Sequence, residues 1–264
     1  MDVQSLGFRT DLAVGRRFGA TVTDRGDHLV IRTEANPGFW WGNYLLVPPL
    51  GPGDQERWTA AFAAEFPDAA HLALGVDGRD GTVGAVTGLA VDVSTVLTAT
   101  GLPAPDPGVE IRVLTTDEDW QGYVAVDEAC FGDRPTPPVR EFNERQNAAT
   151  RAVTRTGAAA WLGAVVDGTV RATLGIVAAG EGLARYRNVE THPEYRRRGL
   201  ARALVCAAGR YAGEHLDARR LVIVADPDYH AIELYRSLGF LDTERQVQLT
   251  RPVPEDAQPP ADQG

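Results

Sequence analysis

Between Asn188 and Ala201 the sequence reads NVETHPEYRRRGLA, three consecutive arginines running into Gly-Leu-Ala, with Arg196, Gly199 and Ala201 in R-x-x-G-x-A spacing. A helix start leaves its first backbone N–H groups unpaired and carries about half a positive charge, which together make an anion site. Gly199 and Ala201 leave room for a bulky anion to reach the backbone, and arginine side chains add charge-assisted hydrogen bonds. The chemistry expected here is capture of a pyrophosphate. The same spacing also fits a charged helix start that merely faces solvent, so its meaning depends on the elements around it.

Those elements follow from periodicity and punctuation. LARYRNVETH reads as a strand stopped by Pro193. From Arg197 a helix is expected, with Leu200, Leu204, Ala207, Ala208, Tyr211 and His215 forming one apolar stripe. RRLVIVA follows as a buried strand, then DYHAIELYRSLG as a short helix with Asp228 as its N-cap and Gly239 as its stop, then FLDTERQVQLT as a closing strand. Upstream, VEIRVLT reads as a strand and DEDWQGYVAVDEACF as an acid-started helix. RPTPP breaks the chain, VREFNERQNAATRAVTRTG is a polar helix, and two strands flank the hairpin dipeptide Asp167-Gly168. The order β-α-α-β-β-β-α-β-α-β predicts an α/β fold, a mixed sheet with helices on its faces.

This order, with THPEYRRRGLA at a strand-to-helix turn and DYHAIELYRSLGF further on, resembles the GCN5-related N-acetyltransferase (GNAT) superfamily over about residues 109–250. The resemblance implies a GNAT fold and acetyl-CoA, or another acyl-CoA, as acyl donor, with no metal. It places the pyrophosphate on the amides of Arg197, Arg198, Gly199, Leu200 and Ala201, beside Arg196, and the pantetheine arm along Val189–Thr191. Tyr235, in the register of the family tyrosine, is expected near the CoA sulfur as general acid, although core packing would also explain it. Glu190, on the strand beside the expected thioester, is the candidate base; binding a cationic substrate or pairing with Arg185 or Arg187 are its other readings. Thr191 stands where valine is commonest and Asp228 where asparagine is usual, which weakens the case for a side-chain contact from Asp228. His192 reads as a turn residue, and Cys130 has no neighbouring histidine to make it a nucleophile.

The implied activity is N-acetyl transfer to a small amine or a peptide amine by direct attack in a ternary complex. A non-catalytic acyl-CoA-binding or regulatory module, and a small-molecule O-acetyltransferase, remain open. The acids Asp127, Glu128 and Asp133, in the stretch DEACFGDRPTPP, are placed to favour a cationic amine, solvated charges being the plainer explanation.

The remaining chain sets the context. Its 264 residues suffice for two modest domains, and a net charge of −10 argues against a nucleic-acid partner. All the basic residues are arginines, and seven of them lie between Arg185 and Arg210 with only Glu190 and Glu194 to oppose them. GLPAPDPG (101–108) reads as a linker, dividing an N-terminal domain over 1–105 from the catalytic domain over 109–251, and 252–264 as a Pro-rich, acidic, disordered tail. In the first part, helix, strand, short helix, Gly-apolar pair and strand are expected to repeat the second half of the family fold. This predicts a degenerate GNAT-like copy lacking R-x-x-G-x-A, in a tandem arrangement; an unrelated α+β cap is the alternative. Trp40 and Trp41 lie between turn residues, suited to packing between the halves or to lining an acceptor pocket. Cys206 reads as a small buried thiol. No apolar run of membrane-spanning length or signal core is present, so a cytoplasmic protein, monomer or homodimer, without membrane partners, is expected.

Overall fold

The computed structural model describes residues 1–131 and 137–251, without the side chains of 131 and 137–139. In chain order the elements are α1 (Leu6–Arg17), β1 (Thr21–Asp24), β2 (Leu29–Arg32), β3 (Tyr44–Val47), α2 (Asp54–Glu65), β4 (Ala73–Val76) and β5 (Ala90–Ala99). They continue as β6 (Glu110–Val113), α3 (Asp117–Phe131), α4 (Pro137–Arg155), β7 (Ala159–Val166), β8 (Thr169–Gly180) and β9 (Leu183–Thr191). The chain closes with α5 (Leu200–His215), β10 (Arg220–Ala225), α6 (Ala231–Ser237) and β11 (Leu241–Thr250). Asp133, the RPTPP stretch up to Thr136, and the tail 252–264 lie outside the described residues.

The described residues divide into two compact units, one built on residues 1–96, 137–146 and 242–251, the other on 97–131 and 147–241. In the first, β1, β2 and β3 pair antiparallel, β3 and β4 pair parallel, and β11 lies antiparallel to β4. Phe8 and Leu12 of α1 pack with Leu46 and Ala73, while Trp58 and Phe62 of α2 pack with Leu45, Leu74, Val247 and Leu249. Helix α1, which the sequence reading did not single out, is capped by Ser5, whose side chain accepts the Phe8 amide. Trp40 stacks on His71 at 5.5 Å between ring centroids, and Trp41 meets Tyr44 edge-on at 5.6 Å. Between β4 and β5 the expected short helix is absent. That stretch holds glycines 78, 81, 84 and 88, two of them at positive φ, and Asp80 closes a turn by accepting the Thr82 amide.

In the second unit β6, β7, β8 and β9 form an antiparallel meander and β10 joins β9 in parallel. The β7–β8 hairpin turns on Asp167 (φ 51°) and Gly168 (φ 76°), both left-handed as a primed turn requires. Helix α3 starts in a capping box: the Asp119 carboxylate accepts the Thr116 amide while the Thr116 hydroxyl accepts the Asp119 amide. It lies over β8 and β9, close to β8 because Gly122 has no side chain; a Cβ there would meet Val170 Cβ at 2.9 Å. The core gathers Leu162, Leu174 and Ile176 from the meander with Leu204 and Ala208 of α5, Ile223 of β10, and Tyr235 and Phe240. Leu102, inside the expected linker, packs against this core. The sequence-predicted α/β fold with a mixed sheet is thus present.

Candidate active site

The strand before the arginine run is interrupted where the chemistry was expected. Thr173 pairs with Glu190 and Gly175 with Arg187, so a single β8 residue opposes both Asn188 and Val189 of β9. This β-bulge is set by Asn188, at φ 48°, a left-handed conformation that asparagine tolerates better than most residues. The bulge bends β9 and re-aims the backbone of Val189–Thr191. Among the described residues, the parallel register with β10 covers Leu183–Arg185 against Arg220–Val222 and stops short of the bulge. The stretch Val189–Thr191 thus lies past the shared ladder, where strand N–H and C=O groups can take an extended ligand.

Beyond β9 the chain makes a short 3₁₀ turn, Pro193–Tyr195, in which His192 Nδ1 accepts the Glu194 amide; His192 is a turn residue. The helix does not begin at Arg197, as its sequence pattern indicated. Arg197 sits at φ 59° and Gly199 at φ 80°, two left-handed residues that hold 196–199 as a turn, and α5 starts at Leu200. Gly199 is the N-cap, supplies no side-chain cap, and its carbonyl takes the Ala203 amide at 3.0 Å. The first amides of α5 therefore meet neither an intrahelical acceptor nor a capping side chain, which keeps them available to an anion. Left-handed residues alternating with others form the kind of backbone concavity in which several N–H groups converge.

The arginine side chains brace this turn. Arg196 Nε donates to the Thr191 carbonyl at 3.2 Å and Arg198 Nη2 to the Glu194 carbonyl at 3.1 Å. Arg171 and Arg198 each place a guanidinium over the Tyr195 ring, at 4.6 and 4.7 Å, and Arg202 donates to Ser237 Oγ of α6. The middle of α5 is set against β9 through Gly209 and Tyr186. The Tyr186 hydroxyl donates to the Val205 carbonyl at 2.8 Å, and a Cβ on Gly209 would meet that hydroxyl at 2.8 Å.

Tyr235 is in the core beside Phe240, only 2% exposed, and burial pushes its phenol well above the ordinary range, so it stays protonated. Helix α6 starts at Ala231 with His230 as N-cap; Asp228 is not the cap, its amide instead donating to Asp226 Oδ1 at 2.8 Å. The local turn at Asp226 outcompetes the longer helix. Gly239, at φ 99°, ends α6 as expected.

Glu190 is buried on β9. Opposite it, Cys130 of α3 places its thiol 3.5 Å from the Thr191 carbonyl. Burial raises the Cys130 pKa, the Glu190 and Asp127 charges add to that, and Arg196 opposes it. These three side chains thus lie within electrostatic reach of one thiol, at the end of β9. Asp127 is not a solvated loop charge: it lies within α3, on the inward stripe of Trp120, Tyr123 and Cys130, and is 6% exposed. That stripe, with a carboxylate at a core position, is the sequence signal that marks it. Glu128 does face solvent. Cys206 is buried in α5, and His215 is exposed and rests on Tyr211. Among the described residues no group of His, Cys, Asp and Glu is arranged to hold a metal, and no helix is long and apolar enough to cross a membrane.

Residues 117–240 match the model of the acetyltransferase (GNAT) family. None of the curated protein sequences matches the chain. Among solved structures it is similar to a GCN5-related N-acetyltransferase from Kribbella flavida, with 17% identity, TM-score 0.66, and coverage of 95% of this chain and 98% of that one. A GCN5-related N-acetyltransferase from Sphaerobacter thermophilus is 20% identical, with TM-score 0.60 and coverage of 89% and 85%. A tandem GNAT protein from the clavulanic acid biosynthesis pathway is 18% identical, with TM-score 0.56 and coverage of 91% and 86%. These likenesses extend the shared fold over the N-terminal part of the chain as well. Acyl transfer is the general chemistry that this likeness supports, and it rests on the match of residues 117–240 to the acetyltransferase (GNAT) family model.

Proposed function

We propose that this protein is an N-acyltransferase that uses acetyl-CoA and acetylates an amine by direct attack in a ternary complex. The observation that carries the reading is the placement of the bulged β9 beside the uncapped start of α5. An extended chain can hydrogen-bond along Val189–Thr191 while the pyrophosphate attached to it occupies the amides from Arg197 to Ala201, with Arg196 alongside. A CoA thioester has that shape and that charge.

In this reading Glu190 takes one proton from the incoming ammonium, directly or through a water. The neutral nitrogen attacks the thioester carbonyl carbon, a C–N bond forms, and the C–S bond breaks. Tyr235 gives its phenolic proton to the departing sulfur and regains one from the new amide nitrogen, so the net product proton is the one on Glu190. A phenol held protonated by burial suits a donor. A thiol whose pKa burial and carboxylates raise does not suit a nucleophile, which favours direct transfer over an acyl-Cys130 intermediate.

The test is titration of the full chain with acetyl-CoA, followed by release of free thiol over a panel of amines. Thermal stabilisation and amine-dependent release are expected. Stabilisation without release on any amine or alcohol would instead identify a non-catalytic acyl-CoA-binding module. Absence of stabilisation would overturn the phosphate-site assignment itself.

A further inference from the structure

Resting on the acyl-transfer reading, we infer that Asp127 is a specificity residue: it receives a second cationic group of the acceptor, so the preferred substrate is a diamine or a larger polycation, not a simple monoamine. Asp127 is 6% exposed, and among the described residues no hydrogen bond or ion pair engages its carboxylate. A buried carboxylate without a counter-charge is costly, and a ligand cation is the group that would relieve the cost. Its position directs that ligand. Asp127 stands one turn of α3 before Cys130, about 4.5 Å along the helix axis, and the Cys130 thiol rests on the carbonyl of Thr191, next to Glu190.

The end of β9 therefore carries two buried carboxylates around one neutral thiol. Glu190 belongs to the strand along which the thioester is proposed to lie; Asp127 stands apart from it on the helix that covers the strand. The cation of this cluster, Arg196, is exposed and already donates to the Thr191 carbonyl. A monoamine would meet Glu190 alone in the proposed reaction, whereas an acceptor with a second ammonium would also meet Asp127. Glu128 adds negative charge at the solvent side of the same helical turn. A charge-assisted contact in a desolvated place discriminates at least about tenfold, and an exposed one far less.

The experiment compares n-alkylamines with α,ω-diaminoalkanes of matched length as acceptors, using the full chain and acetyl-CoA, and follows kcat/KM by thiol release. The best diamine is expected to exceed its matched monoamine by about tenfold or more, and Asp127→Asn is expected to bring that ratio close to one. Equal kcat/KM for matched pairs in the wild-type protein would overturn the inference whether or not the variant folds. So would an Asp127→Asn protein that loses activity on both acceptors with the ratio preserved. If no amine supports thiol release, the acyl-transfer reading fails separately. Calorimetric binding of the diamine and the monoamine to the CoA-saturated wild-type protein then decides: a preference for the diamine upholds the cation site, and no preference removes it.

Discussion

Replacing Asp127 by asparagine keeps the side-chain shape and removes the ionisable group, which turns its burial into a measurable slope. Burial, with a smaller contribution from the Glu128 charge, raises the Asp127 pKa from 3.8 to about 6. The folded protein therefore holds this proton more tightly than the unfolded chain does. Native stability falls as pH rises from the unfolded value through the folded one, and the loss is complete above about pH 6. At ~1.4 kcal/mol per pKa unit the full penalty is about 3 kcal/mol, of which about 2 kcal/mol develops between about pH 4.5 and about pH 7.5. The asparagine variant has no such term, and any fixed cost of burying its amide is the same at both pH values. The stability of Asp127→Asn relative to wild type should thus rise by about 2 kcal/mol over that interval, roughly 4–8 °C in Tm for a chain of this size. Urea or thermal unfolding of both proteins, without ligand, at the two pH values measures it. A difference that stays constant within about 0.5 kcal/mol across the interval would refute the reasoning, because the carboxyl would then be solvated or already paired.

Other outcomes follow from the same geometry. Tyr235→Phe should lower kcat by about a hundredfold or more while acetyl-CoA affinity changes little, as loss of a general acid predicts; an unchanged kcat in single-turnover thiol release would remove the hydroxyl from the chemistry. Glu190→Gln should abolish the acidic limb of the kcat/KM pH profile, and a limb that persists in the variant would assign the base elsewhere. Gly199→Ala meets no atom within 4 Å, so its cost is purely that of holding an L-residue at φ 80°, about 1–2 kcal/mol. The turn should shift to relieve it, and the acetyl-CoA-induced rise in Tm should shrink; full stabilisation by acetyl-CoA would place the anion away from this N-terminus.

Much of this molecule is local, and local features are what a sequence carries. Asp167-Gly168 needs two positive φ values and offers residues that accept them, so the β7–β8 hairpin follows from a dipeptide. Gly239 stops α6 and Pro193 stops β9 for equally local reasons of backbone conformation. The candidate anion loop was legible through R-x-x-G-x-A, but its backbone was not. Arg197 adopts a left-handed conformation that its side chain disfavours, and only the surrounding turn holds it there, so the helix begins at Leu200 and not at Arg197. Asp228 looked like a cap because aspartate caps well in isolation; competition from Asp226 set the outcome.

The sequence by itself determined the order of elements from β6 to β11, the mixed sheet and the motif proposed to meet an anion, since each depends on periodicity or on a few adjacent backbone angles. Tertiary structure alone decided the rest. The bulge at Asn188 exists only in register with β8, so no property of β9 taken alone reveals it. The close approach of α3 to β8 depends on Gly122 meeting Val170, residues far apart in sequence. That approach buries Asp127 and brings Cys130 onto the end of β9, because desolvation and charge act across space and not along the chain.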